Sequence, residues 1–168
     1  MELIFETKRL LVRKLKLQDL VPFHEMHGNI SVMRYVKATV MTYEEDKKDL
    51  QDLIIKYDVA NNDFWIYAIE RKEDSEFIGT IAFVKDAANV DEIGYRFLEK
   101  YWGKGYGNEI LKGMISYAKK TGFKSLVACV SPDNIASEKM IKNANFKFVE
   151  NYICEDLKIP ENKYMLEL

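Results

Sequence analysis

The stretch Phe97-Leu98-Glu99-Lys100-Tyr101-Trp102-Gly103-Lys104-Gly105-Tyr106-Gly107-Asn108-Glu109 constrains this chain more than any other. Its three alternate glycines stand between a strand-like run and the helical stripe Ile110, Leu111, Met114, Ile115 and Ala118. Glycine lets a backbone approach a ligand closely and tolerates positive φ. A helix that begins just past such a loop aims unpaired N–H groups and a partial positive charge into it. The combination is either an anion cradle, most naturally for phosphate, or a tight strand-to-helix connection with no ligand. It is not a P-loop, because Gly105-Tyr106-Gly107 is followed by Asn108 rather than by Gly-Lys-Ser/Thr. Nor is it a dinucleotide fingerprint, since the next strand-like run, Leu126 to Val130, ends at Ser131-Pro132 without an acidic residue.

The rest of the chain supplies the frame. Leu10 to Leu15 has the mixed apolar and basic character of an outer strand. Asp19 offers an N-cap for a helix through Leu20, Val21, Phe23 and Met26, with Pro22 in the tolerated first turn and Gly28-Asn29 as the stop. Ile30 to Val36 reads as a further turn or two of helix. Thr42-Tyr43-Glu44-Glu45 is a capping box, and Leu50, Leu53, Ile54 and Tyr57 mark the buried face of the helix it opens, which Asn61-Asn62 ends. The period then changes. Phe64 to Glu70, Phe77 to Val84 and Val90 to Leu98 are short β-branched and aromatic runs, joined by Lys72-Glu73-Asp74-Ser75 and Lys85-Asp86-Ala87-Ala88-Asn89 at hairpin lengths. After the glycine loop comes the striped helix, with Lys119-Lys120 in its last turn and Gly122 as its stop. Leu126 to Val130 is a buried strand, Pro132-Asp133-Asn134 opens a helix through Ala136, Met140 and Ile141, and Phe146 to Ile153 and Tyr164 to Leu168 are the last strands, split by a Pro160 turn. The order predicts one mixed α+β domain over residues 1–168.

Composition limits what such a domain can do. The 168 residues carry a net charge of −2, which argues against a nucleic-acid binder working through a basic face. The opening residues lack the apolar core of a signal peptide, and no apolar run approaches the ~20 residues of a membrane span. Cys129 and Cys154 are too far apart for a zinc spacing and too few for a disulfide framework, so a cytoplasmic protein with reduced thiols is expected, Cys129 being buried and inert in mid-strand. His24-Glu25-Met26-His27 has its histidines three apart instead of the four of a metalloprotease motif, and is expected to be an ordinary surface helix with no metal.

Several motifs occur in a fixed order: Thr7-Lys8-Arg9-Leu10-Leu11-Val12-Arg13, Phe77-Ile78-Gly79-Thr80-Ile81, Glu92-Ile93-Gly94-Tyr95, Tyr101-Trp102-Gly103-Lys104-Gly105-Tyr106-Gly107 and Asn134-Ile135-Ala136-Ser137. Over nearly the whole chain they resemble the GNAT superfamily of acetyl-CoA-dependent N-acetyltransferases, and more narrowly its ribosomal-protein N-terminal acetyltransferase branch. The resemblance implies a three-layer domain with a central, mostly antiparallel mixed sheet of about six to seven strands flanked by helices. It also implies direct transfer of acetyl from acetyl-CoA to a primary amine, on a protein or peptide N-terminus or on a small molecule, by a monomer or homodimer. In that family the loop amides hold the coenzyme A pyrophosphate, which here points to Trp102, Gly103, Lys104, Gly105, Tyr106, Gly107 and Asn108. The pantetheine arm would pair with the strand Tyr95, Arg96, Phe97 and Leu98, which splays from its parallel neighbour Leu126 to Val130. Many superfamily members place another residue at Trp102. Its ring is expected to pack under the loop.

Transfer to an amine needs a neutral nucleophile, and lysine and α-amino groups have ordinary pKa values near 10.4 and about 8. Glu92 is the candidate base. Its alternative reading is a half-exposed strand carboxylate paired with Arg96 or a lysine. Ser137 is the candidate acid toward the leaving sulfur, with Asn134 beside it on the same helical face, where Asn134 also suits an N-cap and Ser137 an ordinary first-turn serine. Two departures matter. Ile141 stands where many relatives have a tyrosine acid, so that role passes to no matching residue, although Tyr95, Tyr106 or Tyr152 could reach the sulfur in three dimensions. Asn145-Phe146 replaces the usual Gly-Phe, a change the left-handed tolerance of asparagine permits. Specificity for the acceptor is expected from Asp19 to Asn61 and from the last strand pair. The alternative to an enzyme is an acyl-CoA-binding regulatory module that no longer turns over.

Overall fold

The computed structural model describes residues 2–36, 39–86, 88–154 and 158–168. Ala87 in the predicted strand link and Lys37 and Ala38 in the predicted acceptor segment lie outside them. In chain order the elements are β1 (Leu3–Glu6), β2 (Leu10–Lys14), α1 (Leu20–His27), α2 (Ile30–Met33), α3 (Tyr43–Lys56), β3 (Phe64–Arg71), β4 (Phe77–Lys85), β5 (Asp91–Phe97), α4 (Tyr106–Thr121), β6 (Ser125–Val130), α5 (Ile135–Asn143), β7 (Lys147–Ile153) and β8 (Pro160–Glu167). The strands form one mixed sheet in the order β1-β2-β3-β4-β5-β6-β8-β7, with eight strands among the described residues where about six to seven were expected. The extra strand is β1, a four-residue edge strand whose sequence carries too little alternation to announce it. All neighbours are antiparallel except β5 and β6.

Strand alternation explains the layers. Phe83 and Ile93 are paired and share a face, on which Phe83 packs against Tyr117 of α4. Arg96, an odd number of residues from Ile93, points to the other face, where it meets His27 of α1. The stripe read from the sequence is the buried side of α4, with Ile110, Leu111, Met114 and Ala118 at 0–1% exposure. Each such side chain contributes roughly 1.5–3 kcal/mol on burial, less for the alanine. Gly113 lets β1 lie close against α4, since a Cβ there would sit 2.8 Å from the Phe5 ring.

Most helix ends follow the sequence, but α3 stops at Lys56 instead of running to Asn61-Asn62, and one predicted cap does not form. The Thr42–Glu45 capping box forms as predicted, with the Thr42 N–H donating to Glu45 at 2.7 Å. Gly122 closes α4 in the left-handed conformation. Asn145 takes φ 66° after α5, and the N–H of Phe146 reaches the Ile141 carbonyl at 3.3 Å, so the asparagine does the work of the missing glycine. Asp19 precedes α1 but its side chain does not cap it. It is buried, and accepts two 2.8 Å hydrogen bonds from Arg13, whose Nε donates to buried Glu70 at 2.6 Å. A buried guanidinium between two carboxylates is a stronger demand than a cap, and takes Asp19 away from it. Pro160 is likewise the first residue of β8 rather than a turn, a position where its missing N–H costs no ladder bond. Glu155, Asp156 and Leu157, in the link before it, lie outside the described residues. Among the described residues no helix is long and apolar enough to cross a membrane.

Candidate active site

The site grows from a gap in the sheet. β4 and β5 pair continuously from Gly79–Phe97 to Lys85–Asp91, whereas parallel β5 and β6 share a single bridged pair among the described residues, Glu92 with Val127. Beyond Glu92 the two strands part. The β6-facing backbone of Gly94 to Phe97 is thereby released from the ladder at the end that runs into the glycine loop.

In that loop the three glycines have different reasons to be glycine. Gly103 and Gly105 hold φ of 72° and 79°, so both serve backbone conformation; a Cβ on Gly103 would meet nothing within 4 Å, whereas one on Gly105 would stand 3.5 Å from the Arg9 guanidinium. Gly107 lies in the first turn of α4, where a Cβ would come within 2.9 Å of Met140 Sδ. Its absence lets α5 close on α4. Trp102 is 47% exposed and its ring N–H donates to the Phe97 carbonyl at 2.9 Å, tying the loop to the end of β5. Lys104 holds its ammonium over the Tyr101 ring, and Asn108 is exposed. Tyr106 is buried under the Arg9 guanidinium, 4.4 Å from its centroid, and its ring stacks on Phe97. Phe97 and Leu98 are buried. The cradle thus has the open space, positive-φ glycines and following helix that a pyrophosphate requires.

Alternation along β5 separates the predicted acid from the predicted base. Tyr95, half-buried, shares a 3.3 Å hydrogen bond with Ser137 Oγ on the α4–α5 face. Burial pushes the Tyr95 phenol up, outweighing the Ser137 bond, so it stays protonated at neutral pH. Ser137 also donates its backbone N–H to Asn134 Oδ1 at 3.2 Å, the N-cap bond of α5. Ile141, where a tyrosine was missed, is a buried core residue. The Tyr95 hydroxyl reaches Ser137 from the strand instead.

Glu92, three residues from Tyr95, faces the opposite side. Its carboxyl pKa is raised, first by burial and then by Glu161 and Asp86. The thiol of Cys129 lies against it, pushed up to about 12 by burial and by the Glu92 charge, which leaves the sulfur a poor nucleophile. Around them Tyr152 donates to Glu161 at 2.7 Å and Lys163 to Asp86 at 2.8 Å. Neither alternative partner, Arg96 nor a lysine, forms a salt bridge with Glu92 among the described residues. Sequence reasoning missed Glu161, and named Tyr152 for the sulfur rather than as the Glu161 partner it proves to be. They lie on different strands and pair only through the β7–β8 register, for which no local signal exists.

The remaining predicted residue, Arg96, donates to His27 Nε2 at 3.0 Å. A guanidinium only donates, so Nε2 accepts and the imidazole proton resides on Nδ1, which donates to Asp46 at 2.7 Å. His24 Nδ1 meets the other oxygen of the same fully buried carboxylate at 2.6 Å. The histidines therefore organise α1 against α3. His27 is buried where a surface position was expected, because the i, i+3 spacing turns both rings toward one acid.

Comparison with known proteins adds to this geometry. A family model described as an acetyltransferase (GNAT) domain matches residues 9–147. The chain is 31% identical over 143 residues to the uncharacterized N-acetyltransferase YnaD of Bacillus subtilis (strain 168), covering 84% of this chain and 81% of that one. Its fold is similar to the RimL ribosomal-protein alpha-N-acetyltransferase in complex with coenzyme A, with a TM-score of 0.83 at 19% identity over 99% of this chain and 98% of that one. It is also similar to the microcin self-immunity acetyltransferase MccE in complex with acetyl-CoA and AMP, with a TM-score of 0.80 at 18% identity over 96% of this chain and 93% of that one.

Proposed function

This chain belongs to the GNAT family of acetyltransferases, and from that premise we propose that it carries acetyl from acetyl-CoA directly onto a primary amine, on a peptide or protein N-terminus or on a small molecule. The observation that carries this reading is the parting of β5 and β6 beside the glycine cradle, with a carboxylate on one face of the gap and a hydroxyl pair on the other. Acetyl-CoA supplies an acyl carbon activated by its thioester. Residues Trp102 to Asn108 hold the pyrophosphate, and the freed backbone of Tyr95 to Leu98 guides the arm that leads to the gap.

Glu92 Oε takes the proton of the incoming ammonium. Burial and the neighbouring Glu161 and Asp86 charges make it a stronger base than an ordinary carboxylate. On the other face, the protonated Tyr95 and Ser137 hydroxyls donate a hydrogen bond to the sulfur as it leaves. Base and acid on opposite faces suit a single displacement through the gap. The raised Cys129 pKa also speaks against a covalent acyl-enzyme. The two free cysteines suit a reducing, cytoplasmic setting. RimL is titled an alpha-N-acetyltransferase of a ribosomal protein and MccE a self-immunity enzyme, so both acceptor classes belong in the trial set.

The test is an amine panel of peptides with free N-termini, polyamines and amino sugars, with thiol release followed for the parent and Glu92→Gln. The parent should turn over at least one class. Its kcat/KM should fall as pH drops through the Glu92 pKa, which burial and the neighbouring carboxylates raise. Glu92→Gln should lose about 10²-fold or more at pH values between the Glu92 and amine pKa values, less as the amine deprotonates unaided, while coenzyme A affinity stays near that of the parent. Unchanged turnover across pH removes Glu92 from the mechanism. Coenzyme A binding without thiol release for any amine supports a silent acyl-CoA-binding module instead.

A further inference from the structure

The first turn of α4 contains a difficulty for an anion site. Glu109 is the acid of that turn, within about 6 Å along the axis from the helix start, so its charge opposes the favourable end of the helix dipole at the cradle. The structure answers with a segment a hundred residues away. Thr7 Oγ1 donates to Glu109 Oε1 at 2.6 Å, the Arg9 backbone N–H donates to the same oxygen at 2.7 Å, and Arg9 Nε donates to Oε2 at 2.6 Å. Every oxygen of the carboxylate is thereby engaged from the β1–β2 turn.

The same guanidinium reaches the loop. Arg9 donates through its NH1 group to the Lys104 carbonyl at 3.1 Å and holds its guanidinium carbon 4.4 Å from the Tyr106 ring centroid. Its other terminal nitrogen is 3.5 Å from where a Cβ on Gly105 would stand. A trans peptide is planar, with its C=O and the following N–H pointing in opposite directions. Turning the Lys104 carbonyl toward Arg9 therefore fixes the Gly105 N–H on the far side, as one of the cradle amides. A glycine-flanked peptide has little else to hold it, since positive-φ glycines are free to flip.

We propose that Arg9 is a positioning residue of the cofactor cradle, one guanidinium orienting the Lys104–Gly105 peptide and cancelling the Glu109 charge at the mouth of the phosphate site. This rests on the reading of residues 102–108 as the coenzyme A pyrophosphate cradle. Arg9 acts through the loop and helix rather than through the reacting atoms. The link also gives the Thr7-Lys8-Arg9 motif, remote in sequence, a physical reason to accompany the glycine loop.

Coenzyme A affinity, measured by calorimetry on the full chain at low and high ionic strength, tests this without any acceptor. Arg9→Ala should weaken binding about tenfold at low salt, and the deficit should shrink at high salt, where repulsion from the uncovered Glu109 is screened. Adding Glu109→Gln to Arg9→Ala should recover part of the low-salt loss, the rest coming from the Lys104–Gly105 peptide that Arg9 no longer orients. Arg9→Lys, which keeps the charge but loses the fork, should fall between parent and Arg9→Ala. Melting temperatures of all variants report whether the β1–β2 turn still folds. An Arg9→Ala protein that melts lower but binds coenzyme A like the parent overturns the proposal. So does an affinity loss that neither salt nor Glu109→Gln relieves. Failure of the parent itself to bind coenzyme A would instead refute the cradle reading on which it stands.

Discussion

Replacing Gly79 by alanine probes how finely the sheet sets the site. Gly79 does not hold a left-handed φ, so its need for glycine is one of space. It lies in β4 opposite Phe97, and a Cβ there would be 2.0 Å from the Arg96 carbonyl oxygen and 3.0 Å from Phe97 Cα. Both neighbours are backbone, so no rotamer change relieves the contact, and β5 would have to move away by about 1 Å or more to restore an ordinary separation. Overpacking of this kind costs about 1–3 kcal/mol, which for a chain of this size lowers Tm by roughly 2–12 °C. The displaced atoms belong to Arg96 and Phe97, on the strand proposed to guide the pantetheine arm. A shift of about 1 Å there should cut kcat/KM for acetyl-CoA by about 10²-fold. Gly94, paired with Ala82 in the same strand pair, is the stability control: its Cβ would stand 3.7 Å from the Ala82 Cβ, an ordinary contact, and alanine there should shift stability by under about 1 kcal/mol. Thermal melts and acetyl-CoA titrations of both variants decide the matter. If Gly79→Ala melts and binds acetyl-CoA like the parent, close strand approach is not what Gly79 supplies.

Arg13→Met should destabilise by about 3–5 kcal/mol because it leaves Asp19 and Glu70 buried without their guanidinium, and adding Asp19→Asn and Glu70→Gln should recover part of the loss in a denaturant titration. Asn134→Ala removes the side-chain cap from the Ser137 N–H and should cost about 0.5–2 kcal/mol, checked by the same titration, with Asn134→Asp retaining most of the stability. Cys129, its thiol pushed up to about 12, should alkylate slowly at pH 8, and Glu92→Gln should speed the reaction by removing a neighbouring charge; an unchanged rate would refute their close approach.

Much of the fold was legible because its signals are local. The α4 stripe, the Thr42 capping box, the three strand runs β3 to β5 and the Gly122 stop each follow from spacing within one element, and each element lies within a few residues of its expected bounds. The misreadings share one cause. Asp19 suits a cap by type and place, yet Arg13 and Glu70 claim it from two other elements. His27 has the spacing of a surface helix position until Asp46 of α3 and Arg96 of β5 close over it. Pro160 suits a turn until β6 and β7 pair with the strand it begins.

The glycine loop shows the same division at the site. By itself the sequence determined that Gly103 to Gly107 join a strand to a helix, that the chain backbone there can accept positive φ, and that an anion suits the helix start, because glycine freedom and the helix dipole are properties of a few consecutive residues. Only the tertiary structure decided that Gly107 serves the packing of α5 rather than the loop, that β5 and β6 part just past Glu92, and that Tyr95 reaches Ser137 on one face while Glu92 meets Cys129 on the other. Those relations depend on strand register and on contacts between residues far apart in the chain. A side chain's neighbours, and hence its proton affinity and its chemistry, exist only once the sheet has closed around it.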